Sequence, residues 1–343
     1  MSQPNDLRTE SLKRVGQVLN HKWTIDRLID VGGMAAVYAA THRNGKKVAV
    51  KMLHAFIATH EDVRERFLRE GYVANQVDHP GAVSVLDDDI TADGAPFIVM
   101  ELLEGDSLEG WMHRAGGTLP VADVLAVADQ TLDVLAAFHA RHVIHRDIKP
   151  GNLFVTRTGV VKVLDFGLAR LRDPRLDNTP TASGIVLGTA AYMPPEQAQG
   201  KVDQVDARAD IFGVGAVMFR ALAGRPIHDG RSATERLFMA MKDRAESLGI
   251  AAPDVPTWVV GVVDKALAFD KKDRWATATE MRNAVRSTYA QLSSEAERVR
   301  PQPGTPAPEH DASREVSAMF DAILEPSIVV DVSFGPHSTK GDD

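Results

Sequence analysis

The period of the apolar residues changes once along this chain, near Gly105, and that change limits the fold more than any other feature. From Trp23 to Met100 the chain runs in short stretches rich in β-branched, aromatic and small residues: "WTIDRLI", "AAVYAAT", "KKVAVKML" and "APFIVMELL". Asn44–Gly45 and Asp93–Gly94 punctuate them, and both are hairpin signals. One segment breaks the pattern: in "EDVRERFLREGYVANQV" (61–77), Val63, Phe67, Tyr72 or Val73, and Val77 fall near helical spacing. Beyond Gly105 the period becomes helical. Behind Pro120, Val121, Leu125, Ala128, Leu132, Leu135 and Phe138 form one stripe over 121–142. Two short strands follow, "NLFV" and "VVKVLD", and further helices are expected over 207–223, 232–243, 256–269 and 275–290. Strands first and helices afterwards predict an α+β chain in two lobes, a small β-rich lobe with one helix (22–103) and a larger, mainly α-helical lobe (104–290). Residues 1–21 read as a flexible N-terminal segment. Residues 291–343, with "RVRPQPGTPAPEHDAS", read as a Pro-rich linker and disordered tail, in which "REVSAMFDAIL" (314–324) could form an amphipathic turn or two.

Composition excludes several functions. The chain has 343 residues and no cysteine, so a disulfide scaffold, a cysteine-ligated zinc site and thiol chemistry are out. A net charge of -8 gives no general attraction to nucleic acid or acidic lipid. The N-terminus lacks the apolar core of a secretory signal. The most apolar stretch, "IFGVGAVMFRALAG" (211–224), is too short for a membrane span and carries Arg220. A cytoplasmic location is the default expectation.

The chemistry concentrates in a few blocks. "HRDIKPGN" runs from His145 to Asn152, and "DFG" (Asp165 to Gly167) begins thirteen residues beyond Asn152. Upstream, "VAVK" ends at Lys51; downstream come "GTAAYMPPE" (188–196) and Arg274. "LIDVGGMAAVYAA" (28–40) resembles half of a phosphate-binding loop, with Asp30, Gly32 and Ala35 at the three positions where such a cradle carries glycine. In this order the blocks resemble the protein kinase family, specifically the bacterial serine/threonine kinases of eukaryotic type, over about 22 to 290.

That resemblance implies a two-lobed protein kinase fold and transfer of the γ-phosphoryl group of ATP to serine or threonine hydroxyls of proteins, a reaction governed by positioning and charge neutralisation. Lys51 would hold the α- and β-phosphates, paired with Glu70 on the small-lobe helix; Glu61 and Glu65 are the competing partners. The implied ATP-binding set also takes in Ile29, Asp30, Val31, Gly32, Gly33, Val37 and Ala49. Met100 would guard the adenine pocket, and Glu101 to Leu103 would form the hinge. Asp147 would accept the proton of the attacking hydroxyl and Lys149 would neutralise the moving phosphoryl group. Asn152 and Asp165 would be ligands of Mg²⁺, with Mn²⁺ as the alternative ion. Lys149 and Pro150, with Thr189, carry the serine/threonine preference. Arg146 would read a phosphate of about -1.5 to -2 charge on the activation segment, at Thr181 or Ser183. Glu196 with Arg274 would form a buried ion pair, and Asp210, followed by Gly215, would hold the catalytic-loop backbone. Protein substrates are the implied partners, and a homodimer is among them because relatives pair through the small lobe.

Three alternatives stand at this stage. His139, His142 and His145 recur every third residue, a spacing open to a metal site as well as to packing roles. The activation-segment hydroxyls are open to being ordinary loop residues. Asp30, whose carboxylate would repel a triphosphate unless turned outward, and Ala35 leave open a pseudokinase that binds nucleotide or serves as a scaffold.

Overall fold

Six of the short extended runs pair into one antiparallel sheet. They are β1 (Val18–Leu19), β2 (Trp23–Val31), β3 (Ala35–His42), β4 (Lys47–Leu53), β5 (Val85–Ile90) and β6 (Pro96–Glu101), in the order β1-β2-β3-β4-β6-β5. The computed structural model describes residues 4–166 and 190–299. The two expected hairpins close as their sequences require. Gly45, at φ 90°, donates to His42 O, and Gly94, at φ 85°, donates to Thr91 O; glycine enters this left-handed region at no steric cost. Strand alternation then sorts the side chains. Tyr38, Val50, Phe97 and Val99 are buried on one face with Leu19, Trp23 and Ile25. The opposite face carries Ala35, Leu53 and Ile98 against Val63 and Phe67 of α2 (Glu61–Ala74).

The first face explains a correction. Residues 1–21, expected to be flexible, contain helix α1 (Pro4–Leu12) and β1. A sheet face of large apolar groups has to be covered, and α1 lies against β2 while the Tyr38 hydroxyl donates to Ser11 O at 3.1 Å. Arg14 adds a two-bond clamp on Asp93, at 3.1 and 2.5 Å, tying the segment to the β5–β6 turn. α1 has no strong apolar stripe, so its periodicity announces nothing.

The larger lobe contains α3 (Leu108–Arg114), α4 (Val121–His139), α5 (Pro195–Ala198), α6 (Arg208–Ala223), α7 (Ala233–Lys242), α8 (Leu248–Ala251), α9 (Thr257–Ala266) and α10 (Ala278–Val299). Leu125, Leu132, Leu135 and Phe138 of α4 meet Ile211, Phe212 and Phe219 of α6, Val259 and Val263 of α9, and Met281 and Val285 of α10 in one core. Each such side chain contributes about 1.5–3 kcal/mol by leaving water. A second sheet, β7 (Gly105–Ser107), β8 (Leu153–Thr156) and β9 (Val161–Val163), lies at the start of this lobe.

Several element ends differ from the periodic reading. α2 stops at Ala74, not 77, because the Asn75 side chain pairs with the backbone of Val85, donating to its O at 2.8 Å and accepting from its N at 3.0 Å. α4 stops at His139, since the chain turns back through His142 at φ 60°. α10 continues nine residues past 290, so the expected tail begins later. Its body is fastened to α4 by Arg282 and Arg286, whose Nε atoms both donate to the buried Asp129 carboxylate, at 3.0 and 2.7 Å. The tail from 301 on, including 314–324, lies outside the described residues. No helix among the described residues is long and apolar enough to cross a membrane.

Candidate active site

The turn between β2 and β3 is a tight hairpin: the Gly32 N–H donates to Ala35 O at 2.9 Å. Its departures from three glycines have a local explanation. The Asp30 carboxylate is exposed and accepts from the Val31 N–H at 2.8 Å. Ala35 is an ordinary strand residue paired with Leu53. A residue absent from the sequence reading fixes this turn: the His54 ring bonds Gly32 O at 2.9 Å, and the His54 N–H donates to Met34 O at 2.9 Å. From the turn the register carries inward. Asp30 faces Val37, Val37 faces Lys51, and Ala49 faces Met100. Val37, Ala49, Lys51 and Met100 therefore come together on neighbouring strands. Ile29 and Val31 lie on β2, Glu101 closes β6, and Leu103 follows in the linker.

The loop over 145–152 is built around one buried carboxylate. Asp210, in the first turn of α6, accepts the His145 N–H at 2.8 Å, the Arg146 N–H at 2.7 Å and a bond from the His139 ring at 2.7 Å. These bonds offset the cost of Arg146 at φ 65°, on the order of 1 kcal/mol or more for a non-glycine residue. Close approach of α6 needs a glycine here: a Cβ on Gly213 would stand 2.8 Å from the Ile148 Cβ. Gly215 serves a different contact, with Ala266 of α9. The His145 ring donates through Nε2 to Leu164 O at 2.8 Å and accepts the Asp147 N–H on Nδ1 at 3.2 Å. His139 and His145 are thus engaged in scaffolding and His142 is exposed, so the three form no metal site. Among the described residues, no cluster of three or more His, Cys, Asp or Glu could hold a metal.

The charged groups converge from three segments. Lys149 Nζ donates to Asp147 Oδ2 at 3.0 Å. Asn152 Nδ2 donates to Asp147 O at 2.8 Å and to Asp147 Oδ2 at 3.3 Å. The Leu164 N–H donates to Asn152 O at 2.8 Å, which sets the start of the Asp165 segment against the catalytic loop. Asp165, at φ 60°, points its carboxylate at the Lys51 ammonium, and the two form an ion pair across the lobes. Burial pushes the Asp165 carboxyl up, but Lys51, helped by His145 and Lys149, outweighs it and holds the group below its ordinary value. Phe166 is stacked on Phe138 with 3.6 Å between centroids and meets the His145 ring edge-on, anchoring this segment in the α4 core.

The residues fit a divalent cation. With its nitrogen engaged by Asp147, the Asn152 amide would offer its oxygen and Asp165 a carboxylate; phosphate oxygens and water would complete such a shell. Glu70 lies on α2, its side chain outside the described residues, so the partner that the structure gives Lys51 is Asp165. Gly167, Thr181, Ser183 and Thr189 also lie outside the described residues. One tether escaped the sequence. Glu101 Oε1 accepts bonds from the Ser84 N–H at 2.8 Å and from Lys162 Nζ at 2.7 Å, joining the end of β6 to β9. Under the site, Arg274 meets Glu196 through two bonds of 2.7 and 2.8 Å, both side chains being buried.

Residues 23–289 match the protein kinase domain, and the chain belongs to that family. It resembles the bacterial serine/threonine kinases within it. It is 36% identical over 271 residues to the serine/threonine-protein kinase Pkn1 of Myxococcus xanthus, covering 77% of this chain and 38% of that protein. It is 35% identical over 269 residues to the serine/threonine-protein kinase PknB of Mycobacterium tuberculosis, covering 77% and 42%. The chain thus spans about two fifths of the length of these curated relatives. The crystal structure of the Mycobacterium tuberculosis PknI kinase domain superimposes with a TM-score of 0.62 at 26% identity, covering 79% of this chain and 98% of that one.

Proposed function

We propose that this chain is an active serine/threonine protein kinase. The observation that carries the reading is the meeting of Lys51 and Asp165 across the lobes beside a loop in which Lys149 and Asn152 both bond Asp147. Lys51 would hold the α- and β-phosphates of ATP under the Gly32–Gly33 turn, with Ile29, Val31, Val37, Ala49 and Met100 lining the adenine side and Glu101 to Leu103 as hinge. Asp147 orients a serine or threonine hydroxyl and takes its proton as the oxygen attacks the γ-phosphorus. The bond from the γ-phosphorus to the bridging oxygen breaks, ADP leaves with that electron pair, and Lys149 offsets the charge on the moving group. Asn152 and Asp165 would hold the divalent ion, Mg²⁺ or Mn²⁺, which supplies neutralisation of the phosphate charge. Glu70 is the family partner for Lys51 when the small-lobe helix swings in. Arg146 would anchor a phosphate placed on Thr181 or Ser183 by autophosphorylation, and Thr189 would contact the catalytic loop.

The pseudokinase reading rested on Asp30 and Ala35. The active reading is supported by the exposure of the Asp30 carboxylate, which bonds the Val31 N–H at 2.8 Å. Radiolabelled ATP tests the proposal. The Asp147→Asn variant should transfer phosphate about 10²- to 10⁴-fold more slowly, with nucleotide affinity by fluorescence titration within about twofold of the parent. Equal labelling from both proteins would mean that the chain has no activity of its own.

A further inference from the structure

The turn between β2 and β3 is held from outside by a side chain that belongs to none of the sequence motifs. Pairing of Ala35 with Leu53 sets the adjoining residues of the two strands, Met34 and His54, side by side, and the His54 N–H donates to Met34 O at 2.9 Å. The His54 ring then reaches Gly32 O through Nε2 at 2.9 Å. A carbonyl only accepts, so that ring nitrogen carries the proton and donates it. β4 therefore serves one region twice: Lys51 stands within the strand, and His54 follows its last residue, Leu53.

The ring is fixed on both sides. It is half-buried and stacked on Phe56, with 5.6 Å between centroids and 11° between planes. The His54 carbonyl accepts the N–H groups of Ile57 and Ala58, at 2.9 and 3.0 Å, which sets its backbone in the approach to α2. Both bonds from His54 to the turn occupy carbonyls. The Gly33 and Met34 N–H groups, by contrast, have no hydrogen-bond partner among the described residues. Glycine backbone rotates freely, so a Gly–Gly turn could bring a carbonyl toward an anion as readily as an N–H. A ring that ties down Gly32 O opposes that rotation and leaves donors to offer, the polarity that suits an anion.

We propose that His54 is a positioning residue for the triphosphate: by holding Gly32 O it keeps the turn's carbonyls away from the phosphates and its N–H groups available to them. The inference rests on the kinase reading and adds to it a residue that acts on the phosphate end of the nucleotide and not on the adenine end. Loss of one such hydrogen bond weakens binding about five- to tenfold.

The test uses the full chain, with fluorescence titrations of ATP with Mg²⁺ and of adenosine, alongside phosphorylation of a serine peptide. His54→Ala should raise Kd and KM for ATP about five- to tenfold, with the adenosine Kd, the peptide KM and kcat each within about twofold of the parent. His54→Phe keeps a ring against Phe56 but has no donor, and should behave as His54→Ala does. His54→Gln, whose amide nitrogen falls near the place of the ring Nε2, should recover most of the loss. Thermal unfolding is followed for each variant. An equal fall in affinity for ATP and adenosine would mean that the ring serves only the packing of the small lobe, and would overturn the inference. So would ATP affinity within about twofold of the parent in both His54→Ala and His54→Phe, or a His54→Gln variant no better than they are. Failure of both donor-free variants to fold would also overturn it, because the ring would then be a requirement of the small lobe itself. A parent that shows the expected difference between ATP and adenosine yet transfers no phosphate would overturn the kinase reading alone. A parent that binds no ATP would overturn both.

Discussion

Asp123 is the residue whose surroundings least suit its charge. It lies in the first turn of α4, where the helix dipole favours an anion, yet it is 4% exposed and its Oδ1 has no hydrogen-bond partner among the described residues. Burial raises its pKa to about 6. The folded state therefore keeps a proton that the unfolded chain releases near its ordinary value. Stability linked to this group is present at acidic pH and is lost as pH rises from about 4 through about 6. Asp123→Asn should raise the denaturant-unfolding free energy at pH 7.5 by at most about 3 kcal/mol, with the gain vanishing at pH 4. At this same scale the motif residues were legible. Lys51, Asp147, Asn152 and Asp165 stand in short blocks whose chemistry dictates residue type, and the structure brings them together. His54, Lys162 and Ser84 were not legible. Their partners lie far along the chain, as His54 does from Gly32, and nothing near them in sequence asks for a histidine or a lysine.

Among the elements, α1 shows how packing overrides local pattern. Its sequence is polar and its stripe weak, but the Tyr38 face needs a cover, and Arg14 with Ser11 holds the segment in place. The Arg14 guanidinium beside Asp93 lowers that carboxyl to about 2. The stabilisation is present above the ordinary carboxylate range and disappears as pH falls from about 4 through about 2. Asp93 is 51% exposed, so solvent screens the pair. Arg14→Ala should cost no more than about 1 kcal/mol at pH 7 and only a small part of that at pH 2, as read from thermal midpoints across that range. The strands and their two hairpins were legible from alternation and from glycine at the turns. The ends of α2 and α4 were not, because an asparagine clasping Val85 and a left-handed His142 stop them where the apolar period would carry on.

Across the whole molecule, a buried ion pair joins the segment after the site to the far end of the large lobe. Arg274 donates to both Glu196 oxygens and to the carbonyls of Ala268, Arg208 and Phe269, so its guanidinium is fully paired. Arg274→Ala would leave the Glu196 carboxylate buried without its partner, at a cost of about 3–5 kcal/mol. Calorimetric unfolding should show that loss; a fall of under about 1 kcal/mol would mean that water replaces the guanidinium without penalty.

Sequence alone determined the class of fold, the family and the identity of the charged groups, because periodicity and short motifs are local properties written along the chain. Tertiary structure decided which carboxylate faces Lys51, what pins the β2–β3 turn and what covers the outer sheet face. Those are matters of distance between residues remote in sequence, and burial and Coulomb energy respond to that distance alone.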